Sequence, residues 1–482
     1  MTIQRKQAED SNTATGQKPS DKSTTTRIYT KHRRHLSLRQ GRSAFKRTPL
    51  KPFIAIPQIN IIQVLSCIAN HSSAETFSPL NLYQQPGKIM TVYEFGITDF
   101  QYVAAGAAVL GSGGGGSYRD AVSVIDELAN RGWQGSVQVK DYDASTNCCV
   151  LAMMGSPDAA DSLTLMDVEY SIFNTINTFE NGTGTTLGCV IPGEIGPINS
   201  IIPLIAAAIA KNDIWVVNGD GAGRAVPELP QTTYSAMLAA SPCALANDAR
   251  TAPTLQSALL NAATAAQIET LAGGIVSAFG SFAGIALWSS NPANNYALTG
   301  SYITGTLTQA WAIGEFLLTT APTPPSSAEV AAQIATITGR TATTILSNFY
   351  ITAVTQSTNS ASLDAGIIRL DNHPDQTKST ETHYIYNLNE NLIMYSSQSN
   401  IPDIIAPDSI CYYSESTGLG FSNATDDLAS YFDFGTNKST GYAVSVIKVW
   451  AAHQLYNAAG VITSFAGLLR DIGYAGALPY PD

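Results

Sequence analysis

Within nine positions the chain places Asp220, Arg224 and Glu228, strung along Asn218-Gly219-Asp220-Gly221-Ala222-Gly223-Arg224-Ala225-Val226-Pro227-Glu228. Only 13% of the residues are charged, about half of the ~25% usual in globular proteins, so three ionisable side chains this close stand out. A carboxylate can take a proton from water, and a guanidinium can hold the negative charge that develops when water adds to a carbonyl-like carbon. The plainer alternative is a surface turn held by an Asp–Arg pair. A second polar group, Glu194 with Asn199, lies in Pro192-Gly193-Glu194-Ile195-Gly196-Pro197-Ile198-Asn199.

A third feature is Gly111-Ser112-Gly113-Gly114-Gly115-Gly116. Its glycines let backbone pass close to a bound group. Ser117 and Asp120 have the spacing of a helix N-terminal cap, and the N–H groups of that helix start are expected to be free for an anion or carbonyl. The glycines also spell G-x-G-x-x-G, but a dinucleotide site needs a strand before them, and Asp99–Leu110 reads as a helix.

These segments need elements to hold them. Ser136–Lys140, Cys149–Met154, Gly188–Pro192 and Ile214–Val217 are strand-like, with helical patterns at Leu163–Phe179 and Ile201–Ala210 between them. Such alternation indicates a layered α/β domain, in which helix-linked neighbouring strands bring their carboxyl ends to one edge. The Glu194 and Asp220 loops would then share that edge. Residues 255–320 are alanine-rich and read as mostly helical, with a helix capped by Thr306. Beyond Ala321-Pro322-Thr323-Pro324-Pro325 the pattern changes to short β-branched segments: Thr341–Thr355, Gly366–Leu370, His383–Leu388, Asn391–Tyr395, Ile410–Tyr413 and Tyr442–Trp450. These predict a β-rich barrel- or sandwich-like domain. The expected organisation is a basic extension over 1–89, an α/β domain over 90–260, and a helical linker region with the β-rich domain over 261–482. Met90 is expected to open the functional protein.

Bulk properties exclude several function classes. Of 26 Lys and Arg and 37 Asp and Glu, residues 1–89 hold 14 and four, so the head is +10 and the remainder −21. An acidic body disfavours nucleic acid and anionic membranes as partners of residues 90–482. No run reaches the ~18 apolar residues of a membrane helix. The six cysteines show neither C-x-x-C nor a companion His at zinc spacing, which leans towards a reducing, cytoplasmic setting. His373, His383 and His453 are scattered, and no hydrolase elbow, H-E-x-x-H or Walker sequence occurs. Acid/base chemistry therefore falls to carboxylates. No cofactor is expected, a divalent metal at grouped carboxylates stays open, and a homo-oligomer is compatible with the composition.

Read in order, Leu110–Gly116, Gly193–Asn199, Asn218–Glu228, Gly305-Thr306-Leu307, Asn389-Glu390-Asn391-Leu392-Ile393 and Pro402-Asp403 resemble the S-methyl-thiohydantoin desulfurase-like family, associated with hydantoin utilisation. The resemblance runs from Met90 to near the C-terminus. It implies an α/β layered domain joined to a β-barrel-like domain, and attack of water on a thiohydantoin-type ring carbon with loss of a thiol. Two departures from the family pattern are an Asn at 218 in place of an Asp, and Pro197 where Gly is more usual.

The expectation is thus a hydrolase-like enzyme acting on a small cyclic amide or thioamide. Asp220 would act as general base or orient the attacking water, Arg224 would stabilise charge, and Glu194 or Glu228 would act as acid. Gly113, Gly114, Gly115, Asn199 and Asn218 would bind the substrate. The alternative is a non-catalytic binding or structural relative with the same fold.

Overall fold

A computed structural model describes residues 83–85 and 88–480, apart from 157–161, 210–212, 249, 251–253, 321–322 and 359–362. The basic cluster around Lys31–Arg47 and Cys67 lie outside the described residues.

In chain order, hairpin β1 (Tyr83–Gln85) and β2 (Lys88–Met90) precedes β3 (Val92–Phe95), α1 (Ile97–Leu110), α2 (Tyr118–Asn130), β4 (Val137–Lys140) and β5 (Cys148–Gly155). Then come α3 (Leu165–Thr183), β6 (Cys189–Pro192), α4 (Pro197–Ile209), β7 (Trp215–Val217) and the short β8 (Gly219–Asp220). β9 (Cys243–Asn247), β10 (Ser257–Leu260), α5 (Ala265–Ala278) and β11 (Phe282–Ser290) complete an eight-stranded sheet of order β10-β9-β11-β5-β6-β7-β4-β3. It is mixed: β5–β6, β6–β7 and β4–β7 run parallel, and the other neighbours antiparallel.

The central strands read as unbroken apolar runs because both of their faces are covered. Cys149, Leu151 and Met153 of β5 pack with α1 to α4, whereas Cys148, Val150 and Ala152 point to the face covered by α5. Burial of this kind contributes ~1.5–3 kcal/mol per large apolar side chain. Helix ends follow local chemistry. Ser117 and Thr164 accept hydrogen bonds from Asp120 N and Asp167 N, and Gly184 closes α3 with φ +68°.

After β12 (Ile303–Thr304), α6 (Thr306–Thr319) and α7 (Ser327–Thr338) lead into a nearly closed antiparallel sheet. It contains β13 (Ala342–Thr358), β14 (Asp364–Asp371), β15 (Thr382–Leu388), β16 (Glu390–Ser396), β17 (Ile404–Ile405) and β18 (Ser409–Tyr413). Beyond α8 (Thr425–Leu428), β19 (Phe432–Asp433) and β20 (Lys438–Ser439), β21 (Val444–Val449) completes it in the order β17-β16-β15-β14-β13-β21-β18. α9 (His453–Asn457) and α10 (Val461–Asp471) close the chain. The expected class, a layered α/β domain with a mixed sheet plus a β-rich barrel-like region, is the observed one.

Residues 255–320, expected as mostly helical, also carry β10 and β11. Gly280 (φ +96°) and Ser281 (φ +71°) break the apolar run after α5. The chain re-enters the sheet as β11, between β5 and β9. A short apolar run does not distinguish a buried strand from a buried helix by periodicity, and its alanines favoured the wrong choice. α6 is also capped differently from the expectation. Its N-cap is Gly305, and the Asn218 carboxamide oxygen, not the Thr306 hydroxyl, accepts the N–H of Thr308 at 3.2 Å.

α1 and α6 cross with backbones in contact. A Cβ at Gly106 would lie 1.8 Å from the carbonyl oxygen of Ala310, and one at Gly314 would lie 1.8 Å from that of Tyr102. Neither obstacle is a side chain that can move aside. Gly314→Ala is expected to destabilise the protein by ~1–3 kcal/mol through overpacking, despite alanine's better helix propensity. A urea midpoint at or above wild type would refute that reading.

Candidate functional site

The carboxyl ends of β5, β6 and β7 meet at one edge of the sheet, and the loops that follow are laced together. Gly221 N donates to Gly193 O at 3.1 Å, and Ile195 N donates to Arg224 O at 3.3 Å. The glycine-rich loop joins them: Gly115 O accepts from Ile198 N (2.9 Å) and Asn199 N (3.1 Å), capping α4 with a backbone carbonyl.

Glu194 is fixed where these segments converge. Its Oε1 accepts from Asn199 Nδ2 at 2.7 Å, and its Oε2 from Val226 N at 2.7 Å. Asn199 is itself oriented by Met153 N, which donates to Asn199 Oδ1 at 2.9 Å. Burial pushes Glu194 up to about 7, against the opposing pull of these hydrogen bonds. The carboxyl is thus held rigidly and poised near neutrality, as proton-transfer groups require.

A second carboxyl arrives from the barrel-like half. Asn389, at φ +55°, turns the chain into β16, whose first residue is Glu390. Glu390 is 3% exposed. Its Oε1 accepts from Gly115 N at 3.2 Å, while its Oε2 has no hydrogen-bond partner. A Cβ at Gly114 would lie 1.9 Å from Glu390 Oε1, so the glycine loop is what admits this side chain. Burial, reinforced by the Glu194 charge, holds Glu390 well above the usual carboxylate range.

Both carboxyls line a cavity of about 100 Å³. Val150, Ala152, Val276, Ile285, Leu287 and Trp288 form much of its apolar wall, and Glu228 and Glu269 add two more acids. Burial raises both; Glu269, whose carboxylate accepts Leu229 N at 2.9 Å, reaches about 8. A space of this size is well above the ~10–15 Å³ that a single water needs, and it takes a small ring. Among the described residues no group of three or more His, Cys, Asp or Glu is arranged to hold a metal ion.

The sequence-selected residues divide into two groups. Glu194, Asn199, Glu228 and Gly115 line the cavity. Asp220, Arg224, Asn218, Gly113 and Gly114 do not. Asp220 is fully buried, and its carboxylate accepts Ala222 N and Gly223 N, both at 2.8 Å, so it folds its own loop. Arg224, also fully buried, donates Nε to Ala225 O, Nη1 to Pro407 O and Asp408 O, and Nη2 to Asn391 O at 2.8–3.0 Å. All four acceptors are carbonyls, and three belong to the barrel-like half. Arg224 therefore rivets the loop to that half. Its charge still acts at a distance on Glu194, which it lowers against burial.

The two departures from the family pattern fall away from the cavity. Asn218 caps α6, and Pro197 begins α4, a position where the absent N–H costs nothing. The start of α2 is not free for a ligand either. Asp427 accepts Tyr118 N (3.0 Å) and Arg119 N (3.2 Å), and Ser117 Oγ accepts Asp120 N. Sequence reasoning missed Glu390, Glu269 and Trp288 as cavity residues. Only Glu390 carried a signal, as a lone acid in Asn389-Glu390-Asn391.

Proton linkage follows from these acids. Glu194 and Glu269 bind their protons more tightly folded than unfolded. Their stabilisation is therefore fully present below the ordinary value of 4.5 and is lost as pH rises through about 7 and about 8. The urea midpoint is expected to fall between about pH 5 and pH 8.5, and Glu269→Gln to flatten the upper part of the fall. A midpoint that rises over this window would contradict the assignment.

The S-Me-THD-like N-terminal domain model matches residues 98–257, and the S-Me-THD-like C-terminal domain model matches residues 263–463. A crystal structure of a protein from Chromobacterium violaceum is 24% identical, with a TM-score of 0.64 over 81% of this chain and 99% of that one, a likeness of fold. No curated protein matches the chain. No helix among the described residues is long and apolar enough to cross a membrane.

Proposed function

The chain belongs to the S-Me-THD-like family, and from that premise we propose that it hydrolyses a small cyclic amide or thioamide of the thiohydantoin type, with Glu194 as base and Glu390 as acid. One observation carries this reading: two buried carboxyls, delivered by different halves of the fold, face the same small apolar cavity. Pairs of titratable groups whose surroundings lift them towards or above neutrality mark acid and base assignments.

With an S-methyl-thiohydantoin, the ionised Glu194 takes a proton from water as its oxygen bonds to the ring carbon bearing the S-methyl group. Glu390, held protonated by burial, supplies a proton to the ring nitrogen as the carbon–nitrogen π electrons move onto it. The tetrahedral adduct then collapses. The C–S bond breaks, the carbon becomes a carbonyl, the hydroxyl proton returns to Glu390, and methanethiol leaves with the proton held by Glu194. Water and substrate thus give hydantoin and methanethiol, with both carboxyls restored.

Asn199 and Val226 N–H hold the base in place, and the apolar wall excludes competing water, which strengthens every charge interaction inside. Asp220 and Arg224 support this arrangement without touching the substrate.

The test is direct. Purified protein is incubated with an S-methyl-thiohydantoin, and methanethiol is trapped with a thiol reagent while hydantoin is quantified. Equimolar appearance of both products supports the reading. Binding of the ring without release of thiol would replace it with the non-catalytic alternative.

A further inference from the structure

Trp288 is out of keeping with the strand that carries it. β11 pairs regularly with β5 up to Leu287, then the register breaks before Ser290. At the break Trp288 adopts φ +48°, the left-handed region that bulky side chains rarely occupy. The irregularity turns the indole into the core at 1% exposure, tilted against Tyr234 with ring centroids 5.2 Å apart. Trp288 lines the cavity, and its Nε1 is buried without a hydrogen-bond partner. Buried indole N–H groups normally find an acceptor. In this chain Trp311 does so, donating to Asp99 Oδ1 at 2.8 Å.

Glu390 Oε2 is the other buried, unpartnered polar atom among the cavity residues. One is a neutral donor that never ionises, the other an oxygen of a carboxyl group. A ligand that satisfies both presents an acceptor to the indole and a ring nitrogen to the carboxyl. We infer that Trp288 is the specificity residue of the cavity, its Nε1 donating a hydrogen bond to a carbonyl oxygen of a small ring that also carries nitrogen: a lactam, imide or ureide. This rests on the reading that the cavity is the substrate site, and it deepens that reading by naming the group that is recognised.

The pattern also predicts discrimination. A site built to hydrogen-bond one substrate group rejects analogues lacking that group, because its own buried donor is then left unpaired. Rings without the carbonyl should therefore bind on shape alone.

The test uses the full chain labelled with ¹⁵N-tryptophan, which gives five indole signals. These are assigned by elimination with Trp133→Phe, Trp215→Phe, Trp311→Phe and Trp450→Phe, so the assignment does not depend on a Trp288 variant folding. Hydantoin is titrated first, then pyrrole, a five-membered ring with an N–H, no carbonyl and no nitrogen lone pair to accept a hydrogen bond. The Trp288 signal is expected to move downfield with hydantoin, with a much smaller shift for pyrrole. Trp288→Phe is expected to weaken hydantoin about 3–10-fold, the loss of one hydrogen bond, and to change pyrrole affinity less than about twofold. Hydantoin saturation with an unmoved Trp288 signal would overturn the inference, as would equal losses for both rings. Failure of the proposed reaction looks different: the signal moves, but no thiol is released from the S-methyl compound.

Discussion

Glu194→Gln is expected to lower kcat for thiol release by ~10²–10⁴-fold, the usual effect of removing a positioned general base. KM should change little, because the amide fills the same space. The more telling readout is the pH profile. In wild type the rate should rise with pH through about 7 as Glu194 ionises, and the variant's residual rate should lack that limb. Gln can accept from only one of the two donors that hold Glu194, Asn199 Nδ2 and Val226 N. A stability loss of ~1 kcal/mol is therefore expected, too small to account for the rate. Turnover at wild-type speed would remove Glu194 from the mechanism.

Arg224→Ala should fail in another way. The guanidinium holds four carbonyls, three of them in the barrel-like half, and its ring contact with Phe465 is 5.7 Å from charge centre to centroid. Its loss leaves buried acceptors unpaired at ~1–3 kcal/mol each, so a destabilisation of ~3–5 kcal/mol is expected. Arg224→Lys should recover only part of this, because an ammonium lacks the planar fork that spans several acceptors. Where some folded protein persists, removing the nearby positive charge should also shift the rising limb of the pH profile upward, since Arg224 lowers Glu194. A variant that keeps wild-type stability and loses only kcat would restore Arg224 as a residue acting on the substrate.

The contrast between these two variants marks how much the sequence disclosed. The alternating strands and helices located the α/β layer, and the Asp220–Glu228 charge cluster lies at the edge of its sheet where the cavity opens. Which of those charges lines the cavity was not legible. Asp220 stands two and three residues before the N–H groups it accepts, a local bond pattern that Asp adopts in turns. That spacing was a structural clue within the chain itself. Arg224 has three acceptors 167, 183 and 184 residues downstream, and no local pattern announces such partners. β11 was misread because its apolar run fits either element. Trp288 gave no signal, since its position depends on a register break that only the paired strands define.

The hydrogen bond from Gly115 N to Glu390 Oε1 joins residues 275 positions apart. At ~5–20 residues synthesised per second, the glycine loop would wait roughly 15–55 s on the ribosome before its acidic partner is even made. Through that interval the emerging α/β half holds Glu194 without the second carboxyl. Under the proposed mechanism the carboxyl pair is therefore completed only once β16 has been made, and a translation product truncated before Glu390 is expected to release no thiol.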